Sequence, residues 1–279
     1  MISAKAVIAV PLYNEAKYIA STLECLARVP DDLDVKFFVS DNQSTDGSFD
    51  IVKEWGAKDK RFHVHQHKTN IGAADNFNYV FNESRSPYFM WLGAHDQIDP
   101  GYVAAAIEIF DAHDDAAYAA GDPYAFLDDP APRTSKPMAE ARYEFHDSRI
   151  ARYLQSVAKL SNCTIVNSMF RRSFTEDFEF RTTISNDHVL ISHMLWHGKI
   201  YYTEGQKYYR RFFREDRGSR DERVTGAKTV KLDRLPFYEY YVDDFVKLYN
   251  RPGPLQDYLC NKILGILEQR FSLLGFDEV

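Results

Sequence analysis

Acidic and amide residues follow each of three short apolar runs near the start of this chain. Ala6-Val7-Ile8-Ala9-Val10 leads into Pro11-Leu12-Tyr13-Asn14-Glu15, and Val35-Lys36-Phe37-Phe38-Val39 leads into Ser40-Asp41-Asn42-Gln43-Ser44-Thr45-Asp46-Gly47. Pro87 to Leu92 leads into Gly93-Ala94-His95-Asp96-Gln97. Carboxylates brought to one edge repel each other, so the pattern calls for a cation or for hydrogen-bond donors. A further acid, Asp187, stands in Ser185-Asn186-Asp187-His188 ahead of a helical pattern, where a helix N-terminus keeps a carboxylate ionised. Arg210, Arg211, Arg214, Arg217, Arg220 and Arg223 form a basic series in an acidic protein. Arginine pairs bidentately with phosphate, so the series reads as a lid over a phosphate group, as a contact for an anionic acceptor, or as a solvated loop.

The elements that must position these residues alternate. Continuous apolar strands at 6–10, 35–39, 62–65 and 87–92 are each followed by a helical pattern, at 15–28, 49–55, 73–81 and 102–110. Such βαβα order specifies an α/β fold with a mostly parallel sheet flanked by helices, and ligands of such sheets bind at the carboxyl ends of the strands. Asp99 reads as the N-cap ahead of Pro100. Past residue 120 the spacing predicts a proline-rich loop over 127–137, a helix over 149–158 and a strand over 164–170. Ser185 then caps a helix that stops at Gly198, and a strand runs over 199–203. Residues 206–228 read as a mobile polar segment. Two helices follow residue 231, broken at Arg251-Pro252-Gly253-Pro254. Leu259, Ile263, Leu267 and Phe271 give the last helix an apolar stripe, read as packing on its own domain; homodimerisation or membrane-surface contact is the alternative. His63, His65 and His67 alternate on one strand face, read as solvated, with metal binding as the alternative. The division is an α/β domain over 1–228 and a helical extension over 229–279.

Composition narrows the class. With 34 Lys and Arg against 41 Asp and Glu, the formal net charge of -7 excludes a general nucleic-acid binder, which needs a basic face. Cys25, Cys163 and Cys260 follow neither a metal spacing nor a disulfide framework, which points to a reducing cytoplasm. The apolar start to Leu12 is too short for a secretory core, and no apolar run reaches about 18 residues, so a soluble or peripheral protein is expected.

Taken in order, Val10-Pro11-Leu12-Tyr13-Asn14-Glu15, Asp41-Asn42-Gln43-Ser44-Thr45-Asp46-Gly47, Asn70-Ile71-Gly72, residues 91–100 and residues 184–209 resemble the family-2 inverting glycosyltransferases of GT-A fold. The resemblance implies a nucleoside-diphosphate sugar donor, a UDP-sugar first, and a glycan or lipid-linked glycan acceptor in bacterial surface polysaccharide synthesis at the inner face of the membrane. It implies Asp187 as general base and Asp96 with His95 as holders of Mn2+ or Mg2+. It implies donor contacts from Pro11, Tyr13, Asn14, Glu15, Asp41, Asn76, His95, Arg210 and Arg211, with Tyr13 against the base and Asp41 bonded to its edge. Two residues depart from the family pattern: His95 stands where an acid is commoner, and Asp75 where arginine is commoner. Within related folds, a sugar nucleotidyltransferase would need a glycine-rich basic loop after the first strand, and 11–15 is not one. A non-catalytic relative that only binds nucleotide sugars or glycans is the other reading.

Overall fold

Small and branched apolar residues fill the first strand, and both of its faces are covered. Ala6, Ile8, Val10 and Leu12 enter one core while Val7 and Ala9 enter another, the period-two division of a central strand. The computed structural model describes residues 1–127, 135–138, 142–161, 163–183, 185–212 and 235–272. Strands β1 (Ala6–Leu12), β2 (Val35–Asp41), β3 (Phe62–Gln66) and β4 (Tyr88–Trp91) pair in parallel, in the order β3-β2-β1-β4. Helices α1 (Ile19–Ala27), α2 (Ser48–Lys58) and α3 (Ala73–Asn82) make the three crossovers.

The second half of the sheet is mixed. After β5 (Gln97–Ile98) and helix α4 (Tyr102–Ala112) come β6 (Ala116–Leu127), β7 (Lys136–Pro137), β8 (Met169–Arg171) and β9 (Lys199–Phe212). β8 lies antiparallel between β4 and β6, β9 runs parallel to β6, and β5 closes that side antiparallel to β9. Helices α1, α2 and α4 cover one face. The other carries α3 together with α5 (Arg149–Lys159), α6 (Asn186–His197), α7 (Leu235–Tyr249) and α8 (Pro254–Ser272). Leu259, Ile263 and Leu267 of α8 are buried in that second core, as their spacing predicts; the side chain of Phe271 lies outside the described residues. Among the described residues no helix is long and apolar enough to cross a membrane.

Four local expectations change. The strand expected over 164–170 is a 3-10 turn, Cys163–Asn167, followed by the three-residue β8. Residues 206–212, expected to be mobile, complete β9; residues 213–228 lie outside the described residues. Helix α1 starts at Ile19 rather than Glu15, whose carbonyl accepts the N–H groups of Tyr18 and Ile19. Asp99 is not a side-chain cap: its carboxylate accepts the Lys207 N–H (2.9 Å) and the Tyr209 hydroxyl (3.0 Å), so it ties the turn before α4 to β9.

Gly198, between α6 and β9, is required for lack of space. A Cβ there would collide with the Asp115 carbonyl oxygen and lie 2.7 Å from the Phe174 ring. Gly198→Ala is therefore expected to cost about 1–3 kcal/mol in urea unfolding, the usual penalty of overpacking. Gly265, inside α8, gives the opposite sign, because a Cβ added there would meet nothing within 4 Å. Gly265→Ala should stabilise by about 0.5–1 kcal/mol. Equal effects at the two sites would contradict this packing.

Candidate functional site

The register of the parallel strands gathers the polar segments. Leu12 sits opposite Asp41, Asp41 opposite Gln66, and Ala9 opposite Trp91, so the carboxyl ends of all four strands meet along one edge. Residues 13–16 are laced to 44–48 there. The Asn14 N–H donates to the Ser44 hydroxyl (2.9 Å) and its side-chain oxygen accepts the Thr45 N–H (2.9 Å). The Glu15 N–H donates to Ser48 (2.8 Å). Asn14 takes a left-handed backbone (φ 53°), a conformation that asparagine tolerates better than most residues. This lacing turns Tyr13 outward, where it is 47% exposed. Pro11, half-buried inside β1, stiffens the approach.

Asp41 is fully buried at the end of β2. Its Oδ2 accepts the Ser44 N–H (3.0 Å) and the Gln66 side-chain amide (3.0 Å), while its Oδ1 is enclosed with no hydrogen-bond partner among the described residues. An unsatisfied buried acceptor costs about 1–3 kcal/mol, and more when charged, so this oxygen is short of a donor. Asn76 is buried too, but both ends of its amide are used: Nδ2 donates to the Ser40 carbonyl (3.0 Å) and Oδ1 meets His67 Nε2 (3.2 Å). It braces the end of β2 from below. The three alternating histidines are not simply solvated: His65 and His67 pack against Tyr79 of α3, at 4.7 and 4.6 Å between ring centroids.

His95 and Asp96 divide the work at the end of β4. Asp96 is 3% exposed; Oδ2 accepts the Tyr208 hydroxyl (2.5 Å) and Oδ1 the Arg211 N–H (2.8 Å). Burial and the neighbouring Asp96 charge push the Tyr208 hydroxyl well above its ordinary pKa, which keeps it a donor. Arg211 is itself 3% exposed, held between the rings of Tyr18 and Phe126 (4.3 and 4.2 Å) with Nε donating to the His95 carbonyl (2.9 Å). This arginine clamps the 95–96 turn. His95 is the more open of the pair, 27% exposed, with Nδ1 3.0 Å from Glu15 Oε1 and Nε2 3.9 Å from Asp96 Oδ1. A carboxylate behind an imidazole is how metal-ligating histidines are oriented. His95 Nε2 and the remaining lone pair of Asp96 Oδ1 fit two donors to a cation that takes its other ligands from phosphate and water, and a nitrogen donor suits Mn2+ better than Mg2+.

A cleft of about 490 Å3 lies beside this edge. Asp187 and Arg210 line it together, with Asn78, Asn167 and the rings of Phe77, Trp91, Phe178, Phe180 and Tyr240. Asp187 is half-buried in the first turn of α6, its Oδ1 accepting the His188 N–H (3.1 Å). The Cys163 thiol hydrogen-bonds the same carboxylate; burial first and the Asp187 charge second raise the thiol pKa, so the thiol stays protonated. Arg210 reaches the cleft from β9 and donates to Thr164 Oγ1 (3.0 Å). Asp75 is exposed in the first turn of α3, next to the lining residues Ala73 and Ala74. The structure thus brings Asp187 and Arg210 together, and Glu15, His95 and Asp96 together, while Asp41 and Asp96 do not line the 490 Å3 cleft. Tyr208, Tyr209 and the aromatic lining are not evident from sequence; the signal available is the strand propensity of Tyr208-Tyr209 and Phe212, masked by the arginines between them.

Comparison with known proteins adds the family. The family described as Glycosyl transferase family 2 matches residues 7–178. Among solved structures, S. aureus TarS 1–349 in complex with UDP-GlcNAc is similar at 18% identity and a TM-score of 0.65, over 96% of this chain and 73% of that one. The longer S. aureus TarS structure is similar at 17% identity and a TM-score of 0.64, over 96% of this chain and 44% of that one. The mannosyltransferase PcManGT from Pyrobaculum calidifontis, in complex with GDP-Man and Mn2+, is similar at 14% identity and a TM-score of 0.54, over 99% of this chain and 77% of that one. At these identities the likeness establishes a shared fold. No curated protein sequence matches.

The lacing of the edge has a pH signature. Burial pushes the Asp46 carboxyl up, but hydrogen bonds from the Ser48 hydroxyl and the N–H groups of Ala16 and Ser48 outweigh it and hold the pKa below its ordinary 3.8. A pKa lower in the folded than in the unfolded chain adds stability above the unfolded value, and that stability is lost as pH falls through the folded value. Asp46→Asn should therefore be less stable than wild type at neutral pH, with the gap closing below about pH 4 in urea titrations. A gap unchanged at pH 3 would remove this role.

Proposed function

The chain belongs to glycosyl transferase family 2, and from that premise we propose an inverting transfer of sugar from a nucleoside-diphosphate donor, a UDP-sugar first, to an acceptor hydroxyl. The observation that carries the reading is the shared cleft of Asp187 and Arg210 beside an edge where Asp41 Oδ1 awaits a donor. The base of the nucleotide lies against Tyr13, where stacking is worth about 1–3 kcal/mol, and its imide N–H donates to Asp41 Oδ1. Such an edge selects uracil, thymine or guanine, which carry an N–H there. TarS with UDP-GlcNAc and PcManGT with GDP-Man, both similar in fold, are consistent with that choice.

The diphosphate runs toward His95 and Arg210. A divalent cation held by His95 and Asp96 would neutralise the charge that grows on the departing diphosphate, an effect stronger in the transition state than in the ground state. Arg210 supplies the same help from the cleft side. Asp187 takes the proton of the acceptor hydroxyl as its oxygen bonds to the anomeric carbon. The bond from that carbon to the diphosphate breaks on the opposite face, and configuration inverts. The exposed ring of Phe77 offers flat apolar surface to the C–H face of an acceptor sugar. A glycan or lipid-linked glycan of a bacterial surface polymer, met at the inner face of the membrane, is the acceptor class proposed.

Purified protein given UDP-sugars and GDP-sugars with Mn2+ tests the assignment of Asp187. Asp187→Asn should keep donor affinity within a few-fold and lose about 10²- to 10⁴-fold of transfer, the usual worth of general-base assistance. Near-normal transfer by this variant would take Asp187 out of the mechanism.

A further inference from the structure

Helix α6 carries a second set of polar groups at its other end, away from Asp187. His193 and His197 stand one turn apart on one face, where side chains at i and i+4 meet. Asp177, in the segment after the 3-10 turn Arg172–Thr175, faces both: its Oδ1 lies 3.2 Å from His193 Nε2 and 3.6 Å from His197 Nε2. All three ligand atoms lie within 4.8 Å of one another. The His193 side chain is 0% exposed, yet neither its Nε2 nor that of His197 makes a hydrogen bond among the described residues; the 3.2 Å approach of Asp177 is misaligned for one. Two buried ring nitrogens aimed at one carboxylate oxygen without bonding it need another explanation.

The far side of His193 supplies it. Its Nδ1 lies 2.7 Å from Asp244 Oδ1 on α7, and Asp244 Oδ2 accepts the Tyr153 hydroxyl (3.0 Å). Asp244 is buried, so it fixes the imidazole with Nδ1 protonated and the Nε2 lone pair facing Asp177 and His197. Rings of Phe178 and Phe174 flank the two histidines at 4.9 and 5.5 Å between centroids and restrain their orientation.

We propose that His193, His197 and Asp177 form a zinc site, separate from the transferase cleft, with Asp244 as the carboxylate that orients His193. Zinc takes imidazole nitrogen and carboxylate oxygen at about 2.0–2.2 Å in tetrahedral geometry, which sets ligand atoms roughly 3.3–3.5 Å apart. The separations of 3.2 and 3.6 Å match that edge. Two imidazoles favour Zn2+ over Mg2+ or Ca2+, which prefer all-oxygen sites. The ion can reach the site from solvent past Asp177, whose side chain is 45% exposed. A water completes the tetrahedron. The metal joins the 172–178 segment to α6, and through Asp244 it joins both to the C-terminal helices. The helix so fixed is the one that presents Asp187 at its other end.

The full-length protein, stripped with a chelator and dialysed against Zn2+ alone, tests this without any activity measurement. Wild type should retain close to one Zn2+ per chain and unfold at a higher temperature with Zn2+ than without. Asp177→Asn, at an exposed position safe for folding, and His197→Gln should each weaken binding at least tenfold and lose the thermal shift. His95→Ala should retain the ion, which separates this site from the transferase edge. Undiminished binding in Asp177→Asn and His197→Gln, or no binding by wild type, would overturn the proposal and leave an ion-paired histidine cluster in its place.

Discussion

Negative charge brought to one edge of a sheet must be answered by donors, and the edge of this sheet is built around those answers. Glu15 is met by His95, Asp41 by Ser44 and Gln66, Asp96 by Tyr208 and the Arg211 N–H, and Asp99 by Lys207 and Tyr209. Hydrogen bonds to charged groups are worth about 1.5–3 kcal/mol each, and a buried carboxylate left unpaired loses several. Pairing therefore wins over repulsion, and it dictates topology: the donors to Asp96 and Asp99 come from β9, more than a hundred residues later in the chain. β5 exists to hold that register, with Gln97 opposite Tyr209 and Ile98 opposite Tyr208.

The same strand explains how two neighbouring arginines come to different ends. Side chains alternate along β9, so Arg210 opens on the cleft while Arg211 turns into the 95–96 turn. One guanidinium lines the cleft and the other is held inside the turn. The result is a rigid turn under His95 beside a cleft whose polar groups, Asp187 and Arg210, keep a face toward incoming molecules. Preorganised charge of this kind is what transfer of a sugar away from a diphosphate requires.

The parallel half of the fold is legible in the sequence because its signal is local. Continuous apolar runs such as 6–10 and 35–39 have one reading once turn residues bound them, and the crossover rule fixes the rest. Helix α6 is legible for the same reason. Asp99 reads as a cap because a single aspartate before proline carries no information about a partner at residues 207 and 209. The strand character of 206–212 is hidden by charge, since arginines on a strand that folds over a carboxylate edge look like a solvated loop. The 3-10 turn at 163–167 is lost in apolar residues that would serve a strand equally well. What sequence does not supply, in the first two cases, is the long-range donor that satisfies a buried acceptor.

Helix α6 runs from Asp187 in its first turn to His193, which packs against the C-terminal helices near its last. The claim on which the functional reading rests is that a nucleotide base completes Asp41. Calorimetric titration of UDP and GDP in the presence of Mn2+ measures it directly, comparing wild type with an Asp41→Ala variant whose circular dichroism is unchanged. Binding weakened at least tenfold in the variant is the result this account predicts. Equal affinity in the two proteins, or no nucleotide binding by the wild type, would contradict it.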